Sequence, residues 1–247
     1  MIRMEIDSDA TKQFFVQAFR DETLVPIIGS GFSGGMKTPK GQVPTGTQMK
    51  NYMLDTIIEV KPEFTKEQLS TMEFSWVAQR FFEYVDSEKI EKYFRQFFVN
   101  INFQNNAKWN FINRIGWKYI YTLNIDTAIE DSSRNWEVFY PNSDFINESV
   151  YEKRKLFKVH GDVNQFFKTR EKNTLILSQQ QYINSLKENK KFQDLLISDY
   201  KGKNILYIGC SLDDELDLKY SAISDTNLNQ PINLTKIIYV TTDIQHP

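Results

Sequence analysis

Apolar positions recur along this chain with two different periods. "SDATKQFFVQAFRD" puts Phe14, Phe15, Ala18 and Phe19 on one face of a helix, with Ser8 or Asp9 as its N-cap. The next apolar run, "TLVPII", is short and ends at "GSGFSGG", which predicts a strand followed by a glycine loop. Thr45 or Thr47 can cap a helix through Tyr52, Leu54, Ile57 and Ile58. From Thr65 to about Ile115 the period is helical throughout. Phe74, Val77, Ala78, Phe81 and Phe82 make one stripe, and Ile90, Tyr93, Phe94, Phe97 and Phe98 make another. Stripes of this kind belong to helix–helix cores.

Beyond that stretch the short runs return. "KYIYTLNID", "EVFYP" and "KLFKVHGD" read as strands. "TLILSQQQYINSL" reads as a strand, a serine N-cap and a helix. "KNILYIGCSLDD" is a strand, a glycine turn and a helix start, and "TKIIYVTTD" is a last strand. "SDTNLNQPINL" is the best candidate for a flexible loop. Strands alternating with helices predict an α/β fold: a Rossmann-like, mostly parallel sheet with helices on both faces. One domain over residues 1–247 is expected, with the 65–115 stretch as a helical insertion.

Composition narrows the function classes. The net charge is −2, so there is no bulk electrostatic case for nucleic acid. Cys210 is the one cysteine, which excludes an internal disulfide and any cysteine-built zinc site. No segment approaches the roughly 20 apolar residues that span a bilayer, and the first residues lack an apolar signal core. The expectation is a cytoplasmic protein without membrane, metal or direct nucleic-acid contact.

Polar residues follow the apolar runs in a repeated way: "GSGFSGG", "TLNID", "HGD", "GCS" and "TTD". In an open α/β sheet, ligands bind outside the carboxyl ends of the strands, where the strand order reverses. Gly29, Ser30, Gly31, Phe32, Ser33 and Gly34 match the spacing G-x-G-x-x-G, in which turn amides face a pyrophosphate. A dinucleotide-binding dehydrogenase also needs an acidic residue at the end of its second strand. Asp55, the candidate by distance, lies inside a helical pattern. Asn124 can orient a water or a ribose hydroxyl, and Asp126 can accept an amide N–H; equally, the two can make a turn and cap the helix "TAIEDS". His160 is the only histidine apart from His246. An imidazole at a strand end can act as a general base near neutrality. Gly209 allows close backbone approach in "GCS", and Ser211 offers a hydroxyl or a simple cap.

Taken together and in this order, these stretches resemble the sirtuin-like NAD-binding domain. "GSGFSGG" resembles its glycine-rich loop, "TLNID" its T-x-N-x-D motif, His160-Gly161 its catalytic "HG", "GCSL" its later small-residue turn, and "VTTD" the strand end on its adenosine side. The four-cysteine zinc module of protein-deacylating sirtuins cannot be built here. The chain is therefore more similar to the sirtuin-like domains of bacterial anti-phage defence proteins. That resemblance implies an NAD hydrolase releasing nicotinamide and ADP-ribose, with NAD as substrate and no metal. It implies His160 and Asn124 as catalytic residues, Gly29 to Ser33 at the pyrophosphate and Asp126 at the nicotinamide carboxamide. Gly209, Ser211 and Asp243 fall on the adenosine side. It further implies an activator or sensor, as a separate protein or a C-terminal domain, and a homo-oligomer. A non-catalytic NAD or ADP-ribose sensor and an NAD-dependent protein deacylase are the alternatives.

Overall fold

A computed structural model of the protein describes residues 8–141, 153–171, 174–188, 190–210 and 237–240. Six strands form one sheet: β1 (Leu24–Ile28), β4 (Tyr119–Thr122), β5 (Trp136–Phe139), β6 (Arg154–Lys158), β7 (Asn204–Ile208) and β8 (Ile237–Val240), in the order β5-β6-β4-β1-β7-β8. Every pairing in it is parallel. The chain leaves β1 to build β4, β5 and β6 on one side and returns to build β7 and β8 on the other. The switch point therefore lies at the carboxyl end of β1, between β4 and β7.

Alternation along the strands feeds two cores. Val25 and Ile27 of β1, with Ile205 and Tyr207 of β7, face Phe192 and Leu196 of α11 (Lys190–Gly202). Leu24, Ile28 and Leu206 face the other way, toward Ala18 of α1 (Asp9–Arg20), Ile112 of α7 (Asn106–Asn113) and Ala128 of α8 (Ala128–Ser132). Ser8 is the N-cap of α1, accepting from the Thr11 N–H.

A third core belongs to the helices between β1 and β4: α3 (Gly46–Val60), α4 (Lys66–Ser70), α5 (Phe74–Tyr84) and α6 (Ser87–Phe97). Thr45, not Thr47, caps α3, through a capping box with Gln48. Both predicted aromatic stripes pack here. Phe81 and Phe94 are fully buried, and the Tyr52 and Tyr93 rings stack 3.6 Å apart. The same cluster takes in Ile125 and Val163, which follow the ends of β4 and β6, and Leu177 further along the chain. The helical layer thus stands over the carboxyl end of the sheet.

Three local differences from the sequence reading have physical causes. "GSGFSGG" is not an open loop: Ser30–Ser33 wind into one helical turn, α2, after Gly29. Phe32 pulls that turn inward, since it is buried with its ring 6.2 Å from Phe103 and 6.3 Å from Phe111. "KTPKGQ" makes a small hairpin of β2 (Lys37–Thr38) and β3 (Gly41–Gln42), which apolar periodicity does not reveal. "TLILS" is no strand of the sheet. Leu175 makes one isolated bridge with Gly161, and Leu175 and Leu177 sink into the helical core instead. Ser178 does receive the Gln181 N–H at the start of α10 (Gln179–Glu188). The loop reading of "SDTNLNQPINL" lies outside the described residues.

Candidate functional site

Two parallel neighbours hold the end of β1. The Gly29 N–H donates to the Ile208 carbonyl at 2.9 Å, and the Gly31 N–H to the Gly209 carbonyl at 2.8 Å. The turns after β1 and β7 are therefore sewn together backbone to backbone. Gly209 has φ +67°, and a Cβ there would stand 2.4 Å from the Phe32 nitrogen. Only glycine satisfies both conditions. Gly209→Ala is expected to cost roughly 1–3 kcal/mol, read as a lower urea midpoint; an unchanged midpoint would mean the seam tolerates a side chain.

On the other side, Thr122 at the end of β4 donates its hydroxyl to the Ile28 carbonyl at 3.0 Å and accepts the Asn124 N–H at 3.1 Å. This brings Asn124 against the glycine turn. Its Nδ2 donates to the Gly29 carbonyl and to Ser33 Oγ, each at 3.0 Å. Ser33 Oγ in turn donates to Asp126 Oδ2 at 2.6 Å, and Asp126 Oδ1 accepts the Ala128 N–H at 2.9 Å. A carbonyl can only accept, so the amide nitrogen of Asn124 must face Gly29, and its carbonyl oxygen is turned the other way. Burial pushes the Asp126 carboxyl above its usual range, opposed by the Ser33 hydroxyl and the Lys158 charge.

His160 follows β6 in a tight turn. Its carbonyl accepts the Ile176 N–H at 2.9 Å. Gly161, at φ +89°, passes so close to this segment that a Cβ would lie 2.0 Å from the Thr174 carbonyl oxygen. The turn that carries His160 and the turn after β4 share one buried cation. Lys158 is fully buried, with Nζ 2.6 Å from Glu130 Oε1, Asp162 Oδ2 and the Asp126 carbonyl, and 3.3 Å from the Ile125 carbonyl. Burial alone would lower the ammonium's pKa, but Glu130 and Asp162 outweigh it and raise it. Burial raises the Glu130 carboxyl. Asp162 also caps α9 (Val163–Thr169) by accepting the Gln165 N–H at 3.0 Å.

These turns open on one cavity of about 1430 Å³. Ser30, Gly31 and Phe32 line it from β1, Asn124 and Asp126 from β4, His160 from β6, and Gly209 and Cys210 from β7. The sequence-predicted residues Gly29 and Ser33 stand behind that wall, holding Asn124 and Asp126. Ser211 and Asp243 lie outside the described residues. The turn amides differ from expectation: those of Gly29, Gly31, Phe32 and Gly34 donate to carbonyls of Ile208, Gly209, Gly29 and Ser30. Two lysines were not singled out from the sequence. Lys158 carries a local signal, a cation within an apolar run and four residues before Asp162. Lys108, which lines the cavity from α7, carries none.

Residues 118–231 match the family model of the SIR2-like domain. Over that stretch the chain is sirtuin-like. The match includes Asn124, Asp126, His160, Gly209 and Ser211, while the glycine turn after β1 and the helical layer precede it. The sirtuin-like domain relates the chain, in general terms, to NAD and NAD-dependent enzymes. No curated protein matches the chain. Among the described residues no group of His, Cys, Asp and Glu could hold a metal ion, and no helix is long and apolar enough to cross a membrane.

Proposed function

We propose that this chain is an NAD glycohydrolase, splitting NAD with water into nicotinamide and ADP-ribose. The observation that carries the reading is the wall formed by Asn124 and His160. Asn124, whose amide nitrogen is committed to Gly29 and Ser33, keeps its acceptor oxygen for a ligand, and it lines the same cavity as His160. An acceptor so fixed can orient a water or a ribose hydroxyl. A neighbouring base can then take its proton.

The chemistry asks little more. In NAD the pyridinium ring takes the electron pair of the N-glycosidic bond and leaves as neutral nicotinamide. Positive charge develops on the ribose carbon as the bond breaks. Water adds there, and His160 accepts the proton, directly or through a ribose hydroxyl. Asp126, held by Ser33 and the Ala128 N–H, is assigned to the nicotinamide carboxamide. Ser30, Gly31 and Phe32 are assigned to the pyrophosphate side, with Gly29 and Ser33 supporting them. Gly209, Ser211 and Asp243 are assigned to the adenosine half. Cys210 is left out of the chemistry. Its thiol lies 3.7 Å from the Ile27 carbonyl, a contact a serine hydroxyl can replace. Cys210→Ser is expected to leave nicotinamide release essentially unchanged, and its loss in a folded variant that binds NAD would point to a thiol mechanism.

The resemblance to anti-phage domains supports a biological reading: depletion of NAD in an infected bacterial cell. Under that reading the chain works with an activator or sensor and as a homo-oligomer, and the helical layer is an insertion in one domain. The test is nicotinamide release from NAD by the purified chain, alone and with any co-purifying partner. Release supports the hydrolase. Binding of NAD or ADP-ribose without release in either state would make the chain a sensor, and release only with an acylated peptide would make it a deacylase.

A further inference from the structure

Lys108 is a half-buried cation with an unusual lack of company. It projects from α7 into the cavity wall. Its ammonium donates to the Phe32 carbonyl and lies 5.3 Å from the centroid of the Phe32 ring. It forms no ion pair among the described residues. Lys158, the other buried lysine of the site, is matched by two carboxylates at 2.6 Å. Burial without such a partner lowers the Lys108 pKa. A charged group kept out of water without a counter-ion is costly, and a bound anion relieves that cost.

The rest of the wall has the same sign. Arg20, Lys50 and Lys108 line the cavity, against Asp126, whose carboxylate is already bonded to Ser33 and Ala128. Arg20 is exposed, and the Lys50 ammonium donates to the Ser70 carbonyl at 3.1 Å. Of these cations, Lys108 is the one whose ammonium is hydrogen-bonded to the turn that ends β1. That turn has committed the Gly29, Gly31, Phe32 and Gly34 amides to backbone carbonyls. An anion arriving there needs a charge from elsewhere.

We propose that Lys108 holds the diphosphate of the dinucleotide, its ammonium moving from the Phe32 carbonyl to the phosphate oxygens. The assignment rests on the NAD reading of the cavity and makes the helical layer part of the ligand site. It accounts for a lysine placed over Phe32, the residue whose carbonyl keeps the ammonium hydrogen-bonded until a ligand arrives. An ammonium–phosphate contact in a partly dry cavity is a charge-assisted hydrogen bond, among the stronger polar contacts.

The experiment compares wild type, Lys108→Met and Lys108→Arg in calorimetric titrations with ADP-ribose, ADP and adenosine, with melting curves beside them. Lys108→Met is expected to weaken ADP-ribose and ADP by about tenfold or more and to leave adenosine unchanged. Lys108→Arg, which keeps the charge, should restore most of the loss. Affinity for ADP-ribose in wild type should fall as salt rises, and less steeply in Lys108→Met. Equal ADP-ribose affinity in wild type and Lys108→Met overturns the assignment. So does an equal loss for adenosine, which would mark a structural role. Lys108-dependent ADP-ribose binding without nicotinamide release would uphold Lys108 and overturn the hydrolase. Nicotinamide release with KM unchanged in Lys108→Met would do the reverse. Failure of wild type to bind any diphosphate would overturn both.

Discussion

His160→Ala is expected to stop nicotinamide release while NAD stays bound. The imidazole lines the cavity together with Asn124, Gly31 and Gly209. An imidazole is the side chain best suited to take a proton near neutrality. A base contributes mainly in the transition state, so its removal should lower turnover by about 10² to 10⁴ and change ground-state affinity little. The variant should fold. The turn is held by the His160 carbonyl, which receives the Ile176 N–H, and by Gly161, neither of which the substitution removes. Asn124→Ala should also lower turnover, with some loss of stability because Gly29 and Ser33 lose their donor. If the two residues act on one proton, the double variant should lose much less than the product of the single losses. The measurement is single-turnover nicotinamide release beside ADP-ribose affinity. A wild-type rate in His160→Ala would reduce the imidazole to a structural residue and end the mechanism.

The strand ends that carry this argument were visible in the chain because each follows a short apolar run. Thr122, Asn124 and Asp126 come directly after β4, and His160 shortly after β6. Their convergence was visible only as an expectation of the fold. The bond from Asn124 to Ser33 joins residues 91 apart in sequence, and no local pattern encodes it. For the same reason the role of Ser33 differs from a loop residue facing a ligand. Its hydroxyl is fully buried between an amide and a carboxylate. "TLILS" misled because burial, not hydrogen bonding, selects its side chains. Leu175, Ile176 and Leu177 are buried as strand residues would be, yet their surroundings are a helical core and the His160 turn. Lys108 looked like any charge on a helix, since what distinguishes it is half-burial against Phe32 with no carboxylate partner among the described residues.

Lys158→Met should produce the largest loss of stability of any substitution considered for this chain. Lys158 joins the two turns that present Asn124 and His160. From β6 it reaches the carbonyls of Ile125 and Asp126 in one turn and the carboxylate of Asp162 in the other, and it pairs with Glu130 of α8. Methionine fills a similar volume but leaves the Glu130 and Asp162 carboxylates facing each other across a buried site without their cation. Removing one partner of a buried ion pair costs about 3–5 kcal/mol, a large share of the roughly 5–15 kcal/mol that holds a domain together. The unfolding midpoint in urea should fall accordingly. Glu130→Gln placed on Lys158→Met should return part of the loss, because it removes one of the stranded charges. At a temperature where Lys158→Met is still folded, nicotinamide release should fall more than ADP-ribose affinity, since the loosened turns are those of Asn124 and His160. A loss below about 1 kcal/mol, the range of exposed ion pairs, would show that the cluster is not the clamp between the two turns.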